Sequence, residues 1–162
     1  MNAIAGNWEV DVIERAISGF PLFVVNSQNQ SGVNFQWNGN GLNRPDMTCN
    51  PKKSHPTLDQ WFNTSCFQPA AVGELGDAPR APVSGPRFVN TDMSFIKHFP
   101  LPYENMRLDF RAEFFNIWNH AHFYLPGGGS GMQDIAAPSS FGVVNATLND
   151  PRLIQFALKL MF

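Results

Sequence analysis

The chain has 162 residues and a formal net charge of -2, with only 15% charged side chains. That is enough for one domain with a modest core, and it lacks the basic surface that nucleic-acid binding requires. A mean hydropathy of -0.20, with no run near the ~20 apolar residues of a spanning helix, excludes a helical membrane protein but leaves a membrane barrel open, because alternation halves a barrel's apparent hydrophobicity.

The 13 Gly, 13 Pro and 15 Phe against 2 Tyr favour strands separated by turn-rich loops. The opening, MNAIAGNWEVDVIERAISGF, lacks the basic start and unbroken apolar core of a secretory signal. Either the protein stays in the cytoplasm or the chain is the tail of a longer one whose signal lies upstream. NWEVDVIERAISGFPLFVV predicts two short strands, near 7–17 and 20–26, about a turn at SGFP. In the first, Trp8, Val10, Val12 and Ala16 share one face and Glu9, Asp11 and Arg15 the other. Glu14 breaks the pattern by falling on the apolar side. Pro21 belongs at the turn, since it cannot sit inside a central ladder.

From 27 to 86 the periodicity disappears into Asn-, Gly-, Ser- and Pro-rich sequence. A loop of this length is functional or disordered in most compact domains. Cys49 and Cys66, the only cysteines, fall within it. In an oxidising compartment they form a disulfide that pins the loop; elsewhere they are two free thiols.

Alternation returns at 87–98. Thr91, Met93, Phe95 and Phe99 alternate with Asn90, Asp92, Ser94 and His98. After PLPYENM, a strand at 106–118 sets Leu108, Phe110, Ala112 and Phe114 against Arg107, Asp109, Arg111 and Glu113. Four alternate charges cannot face a dry core, so that face is wet. Asp92 is a candidate cross-hairpin partner for Arg111. A second long loop, 119–151, precedes the closing strand at 152–162, where Ile154, Phe156, Leu158, Leu160 and Phe162 line one side. Short links at SGFP and PLPYENM, with long ones at 27–86 and 119–151, place the short turns at one end of an antiparallel sheet and the long loops at the other. Outer-membrane barrels have that asymmetry.

The ordered series SGFP, RPD, WFNTSCF, GPRFVNTDMSFIKHF, RLDFRAEFFNIWNHAHF, FGVV and the terminal DPRLIQFALKLMF resembles the C-terminal end of TonB-dependent outer-membrane receptors. It is most similar to the Oar-like group, whose full-length members begin with a carboxypeptidase-regulatory-like domain. The resemblance covers nearly the whole chain. It implies an all-β fold: antiparallel strands of an incomplete transmembrane barrel, with long extracellular loops and short periplasmic turns. The family's barrel is a plugged one of about 22 strands, so the chain reads as a C-terminal fragment. Its implied partners are outer-membrane lipid, the remaining barrel and plug domain, TonB through the missing N-terminal part, and the barrel-assembly machinery through the terminal strand.

On this reading Phe95, Leu108, Phe110, Phe114, Ile154, Phe156, Leu158, Leu160 and Phe162 face lipid, while Asp92, Arg107, Asp109, Arg111 and Glu113 face the lumen. Those lumen charges read first as a structural ladder that hydrates the wall. Lys97 lies on the lipid side near the periplasmic edge, where it can snorkel. Trp118, Phe123 and Tyr124 suit an outer aromatic girdle. His120 and His122, two apart on an expected strand, lack the third ligand of a metal site. PGGGSG lacks the ending of a phosphate loop. No nucleophile–base pair marks an enzyme, and no cofactor is implied. The competing reading is a soluble or secreted β-sandwich that binds carbohydrate, with its apolar faces packed against each other.

Overall fold

The computed structural model describes residues 5–28, 43–103 and 106–162; residues 29–42 of the expected first loop lie outside them. Two compact units result, each built from separated parts of the chain. One comprises the described parts of Met1–Ile17, Phe88–Ala121 and Asn149–Phe162; the other comprises those of Ser18–Arg87 and His122–Leu148.

The first unit is a four-stranded antiparallel sheet. Its strands are β1 (Trp8–Ile17), β6 (Phe88–Pro100), β7 (Arg107–Phe115) and β9 (Leu153–Met161), adjacent in that order. Period-two sequence makes each strand, and register joins them. Trp8 opposes Lys97 and Ile17 opposes Phe88. Met93 opposes Phe114 and Pro100 opposes Arg107. Arg107 then opposes Met161 and Phe115 opposes Leu153. The link from β6 to β7 is short, whereas the links from Ile17 to Phe88 and from Phe115 to Leu153 are long and leave from the opposite end.

This pairing replaces the hairpin expected at SGFP. Pro21–Val25 is a strand (β2), but it lies in the second unit and does not pair with β1. Gly19 in that motif serves a close approach. A Cβ there would stand 2.0 Å from the carbonyl oxygen of Gly85, beside the amide of Gly85 that donates to the Phe20 carbonyl at 2.8 Å. The 106–118 strand also ends early, at Phe115. Asn116 turns into the left-handed region (φ 51°). Its side chain accepts from the His120 amide and donates to the His120 carbonyl, both at 3.0 Å. Asn is among the few residues that tolerate this conformation, because its short amide bonds the local backbone.

The second unit gathers both long excursions into one body with its own core. β2 pairs antiparallel with β5 (Val83–Ser84) and parallel with β8 (Met132–Asp134). A smaller ladder joins β3 (Asp46–Met47) to β4 (Phe67–Gln68), the latter preceded by a 3-10 turn at Thr64–Cys66 capped by Asn63. Leu22, Val24, Phe62, Cys66, Phe67, Ala78, Val83 and Phe141 form the buried cluster. Three of its rings, Phe62, Phe67 and Phe141, meet edge to face with centroids 5.3–5.9 Å apart, the arrangement their quadrupoles favour. Cys49 and Cys66 are joined by a disulfide, with Cα atoms 5.0 Å apart. The fully buried Gln133 is satisfied on both sides. Its Oε1 accepts from the Gly142 amide at 3.0 Å, and its Nε2 donates to the carbonyls of Pro126 and Met132.

Candidate functional site

The four-stranded sheet carries the chemistry through its two unlike faces. Residues opposed across a ladder share a face, so the register sorts the side chains into rows. One face presents, from the short-turn end, Phe99–Leu108–Leu160, then Trp8–Lys97–Phe110–Leu158, then Val10–Phe95–Ala112–Phe156, then Val12–Met93–Phe114–Ile154. Only Lys97 is charged. This face stays open: Phe156 and Leu158 are each 68% exposed, and Trp8, Val10, Val12, Ile154 and Leu160 are also exposed. Phe95, Leu108, Phe110 and Phe114 on the two inner strands are half-buried by their neighbours. Phe95 meets Phe114 edge to face at 5.8 Å, and Phe110 stacks on Phe156 at 6.0 Å. Phe162, just past β9, is 95% exposed.

The two residues that broke the alternation find their reasons here. The ammonium of Lys97 sits 5.2 Å from the Trp8 ring centre and 5.7 Å from that of Phe99. It also donates to the Gly6 carbonyl, so the charge is wrapped at the short-turn end. Glu14 opposes Thr91, one row beyond Val12–Met93. That row is polar and ends the apolar belt.

The opposite face carries Glu9, Asp11, Asp92, Ser94, His98, Arg107, Asp109, Arg111, Glu113, Gln155 and Lys159. Several of its charges are paired. Arg107 Nε lies 3.3 Å from Asp109, and Arg111 Nε 2.8 Å from Glu113, while Gln155 donates to Glu113 and Ser94 to Asp11 at 3.1 Å. The expected Asp92–Arg111 pair does not form. Arg111 opposes Ile96, which puts Asp92 about 13 Å along the strand. Asp92 instead accepts from the Asn90 side chain and the Asn116 amide, each at 2.8 Å, and so anchors the turn that ends β7. Sequence reasoning passed over His98 as a partner. It lies between Asp109 (2.7 Å) and Glu9 (3.2 Å), a relation that follows once the β6–β7 register is known.

His120 and His122 do not lie on a strand. His120 is exposed, and its carbonyl accepts from Asn116 and Asn149; His122 is buried in the other unit. Among the described residues, no group of three or more His, Cys, Asp or Glu side chains is placed to hold a metal ion. Trp118 is exposed, Tyr124 is exposed and Phe123 is half-buried.

A β-sandwich would bury the apolar rows against a second sheet; here their outer members are exposed. An apolar face left open beside a wet, charged one, on antiparallel strands with short links at one end and long links at the other, is the design of a membrane-barrel wall. These strands are therefore a stretch of incomplete barrel. The chain matches the family model described as "Outer membrane beta barrel domain" over residues 1–155, and it belongs to that family. Its place is the outer membrane of a Gram-negative bacterium. No curated protein and no solved structure matches it.

Proposed function

We propose that this outer-membrane barrel protein is the C-terminal part of a TonB-dependent transporter of the Oar-like kind, engaged in ligand uptake. The observation that carries the reading is the pairing of an open apolar belt with two long excursions leaving one end of the sheet. With the belt in hydrocarbon, Phe95, Leu108, Phe110, Phe114, Ile154, Phe156, Leu158 and Leu160 touch lipid and Phe162 lies at the periplasmic rim. Asp92, Arg107, Asp109, Arg111 and Glu113 then face the aqueous lumen, where they hydrate the wall. The excursions leave on the extracellular side, and the unit they form is the part that meets ligand.

TonB, a plug domain and the barrel-assembly machinery enter as partners through the resemblance of the motif series from SGFP to the terminal Phe162. The test is uptake in the producing organism. A strain deleted for the gene is compared with its parent and with a strain lacking TonB, across a panel of sole carbon and iron sources. The reading expects at least one nutrient whose uptake fails in both mutants. Uptake lost on gene deletion but normal without TonB would make the barrel a passive channel and overturn the transporter reading.

A further inference from the structure

We propose that His98 is a protonation-dependent clasp that holds the start of β1 to the barrel wall. The clasp stands on the placing of one imidazole between two carboxylates from two different strands. Nδ1 lies 2.7 Å from Asp109 Oδ1 on β7, and Nε2 lies 3.2 Å from Glu9 Oε2 on β1. An ionised carboxylate only accepts hydrogen bonds, and a neutral imidazole has only one N–H. Both contacts together therefore require the doubly protonated ring. When the ring is neutral, one nitrogen turns a lone pair toward a carboxylate, and that contact becomes repulsive.

The surroundings decide which contact opens. Asp109 is nearer, its side chain is only 13% exposed, and Arg107 at 3.3 Å holds the same oxygen. Lys159 of β9 opposes Asp109, and Arg111 lies one row further on the same face, so basic groups surround that carboxylate. The side chain of Glu9 is 54% exposed and can exchange the ring for water. The remaining proton thus stays on Nδ1, toward Asp109, and the Glu9 contact is released.

The consequence falls on the first residues of β1. β6 holds that segment by the Glu9–His98 contact, by the His98 amide donating to the Asn7 carbonyl at 3.0 Å, and by Lys97 donating to the Gly6 carbonyl. Asn7 is in the left-handed region (φ 60°), so the chain bends sharply just before the strand. Loss of the Glu9 contact removes one of these ties at that bend.

Hydrogen–deuterium exchange of the segment Gly6–Val10, in the assembled protein in outer-membrane vesicles and corrected for the intrinsic effect of pH, tests this. Between pH 5.0 and 8.5 the wild-type segment loses protection by about two- to fivefold, the scale an exposed ion pair supports. Glu9→Gln keeps its protection at both pH values, because the amide offers an acceptor to the protonated ring and a donor to the neutral one. Glu9→Ala shows the lower protection at both. Wild-type protection that is equal at the two pH values overturns the clasp, as does a Glu9→Gln response identical to wild type. The Glu9 side chain is 54% exposed on the wet face of the sheet, so its substitution leaves assembly intact and the comparison interpretable.

Discussion

Leu158→Arg places a charge on the apolar face of β9, and its cost can be worked from the row positions. The four apolar rows lie two residues apart, or about 6.8 Å along each strand. A strand tilt of about 40° reduces that to roughly 5 Å of depth per row. Leu158 and Phe156 occupy the two central rows, so Leu158 lies about 3 Å from the middle of the belt. Arg at that depth costs about 2–4 kcal/mol, which lowers the folded-to-unfolded ratio by a factor of roughly 30 to 1,000. Gln155→Arg, three residues earlier and on the other face, is the matched control. Gln155 already bonds Glu113, and an arginine there meets a carboxylate in water. Urea titration of the assembled barrel in lipid bilayers, followed by loss of the heat-modifiable band, reads both variants. A large loss for Leu158→Arg with little for Gln155→Arg is expected. Equal losses, or the reverse order, would refute the assignment of faces.

The second unit supplies two further predictions. Gly19→Ala sets a methyl 2.0 Å from the Gly85 carbonyl oxygen; as that neighbour is backbone, strands β2 and β5 must separate, at a cost of about 1–3 kcal/mol. Limited proteolysis should then cut within 18–28 and 80–87 faster than in wild type while β6, β7 and β9 stay resistant. Replacing both Cys49 and Cys66 with Ser opens a loop with a sequence separation of 17, worth about 3 kcal/mol in the chain-entropy account. The expected readout is faster hydrogen exchange at Phe62 and Phe67, with none at Phe110 or Phe114.

Sequence alone reached the sheet faces because one rule governs them. Alternation in RLDFRAEFF separates Leu108, Phe110 and Phe114 from Arg107, Asp109, Arg111 and Glu113 whatever the partner strands are. It could not say which strands pair. SGFP has every local mark of a hairpin turn, yet β1 finds its partner beyond Arg87, because the ladder of Trp8–Ile17 with Phe88–Lys97 outweighs the two short pairings left to β2. Apart from the strand near 20–26, the second unit was legible only as loop. Its core residues outside that strand, Phe62, Phe67, Ala78 and Phe141, are scattered among Pro, Gly and Asn with no period, and long-range packing alone brings them together. The end of β7 lies where the alternation reverses: Asn116 takes the apolar side and Phe115 and Ile117 the charged side, and the side-chain bonds of Asn116 turn the chain there.

The described sheet has two outer edges. β1 has β6 as its neighbour and β9 has β7, so among the described residues no strand lies on the far side of either, where backbone amides and carbonyls need partners. In hydrocarbon each such group costs several kcal/mol, which no single side-chain contact offsets. Strands from elsewhere must therefore flank both, and β1, running away from the short-turn end, and β9, running toward it, each accept an antiparallel neighbour. Synthesised alone, these 162 residues should give no heat-modifiable monomer in detergent or bilayers, and amide exchange should be fast along both outer edges. The same residues within a closed barrel should be protected across all four strands. A water-soluble monomer that unfolds cooperatively would defeat the argument, because the open apolar belt and the open edges could not both persist in it.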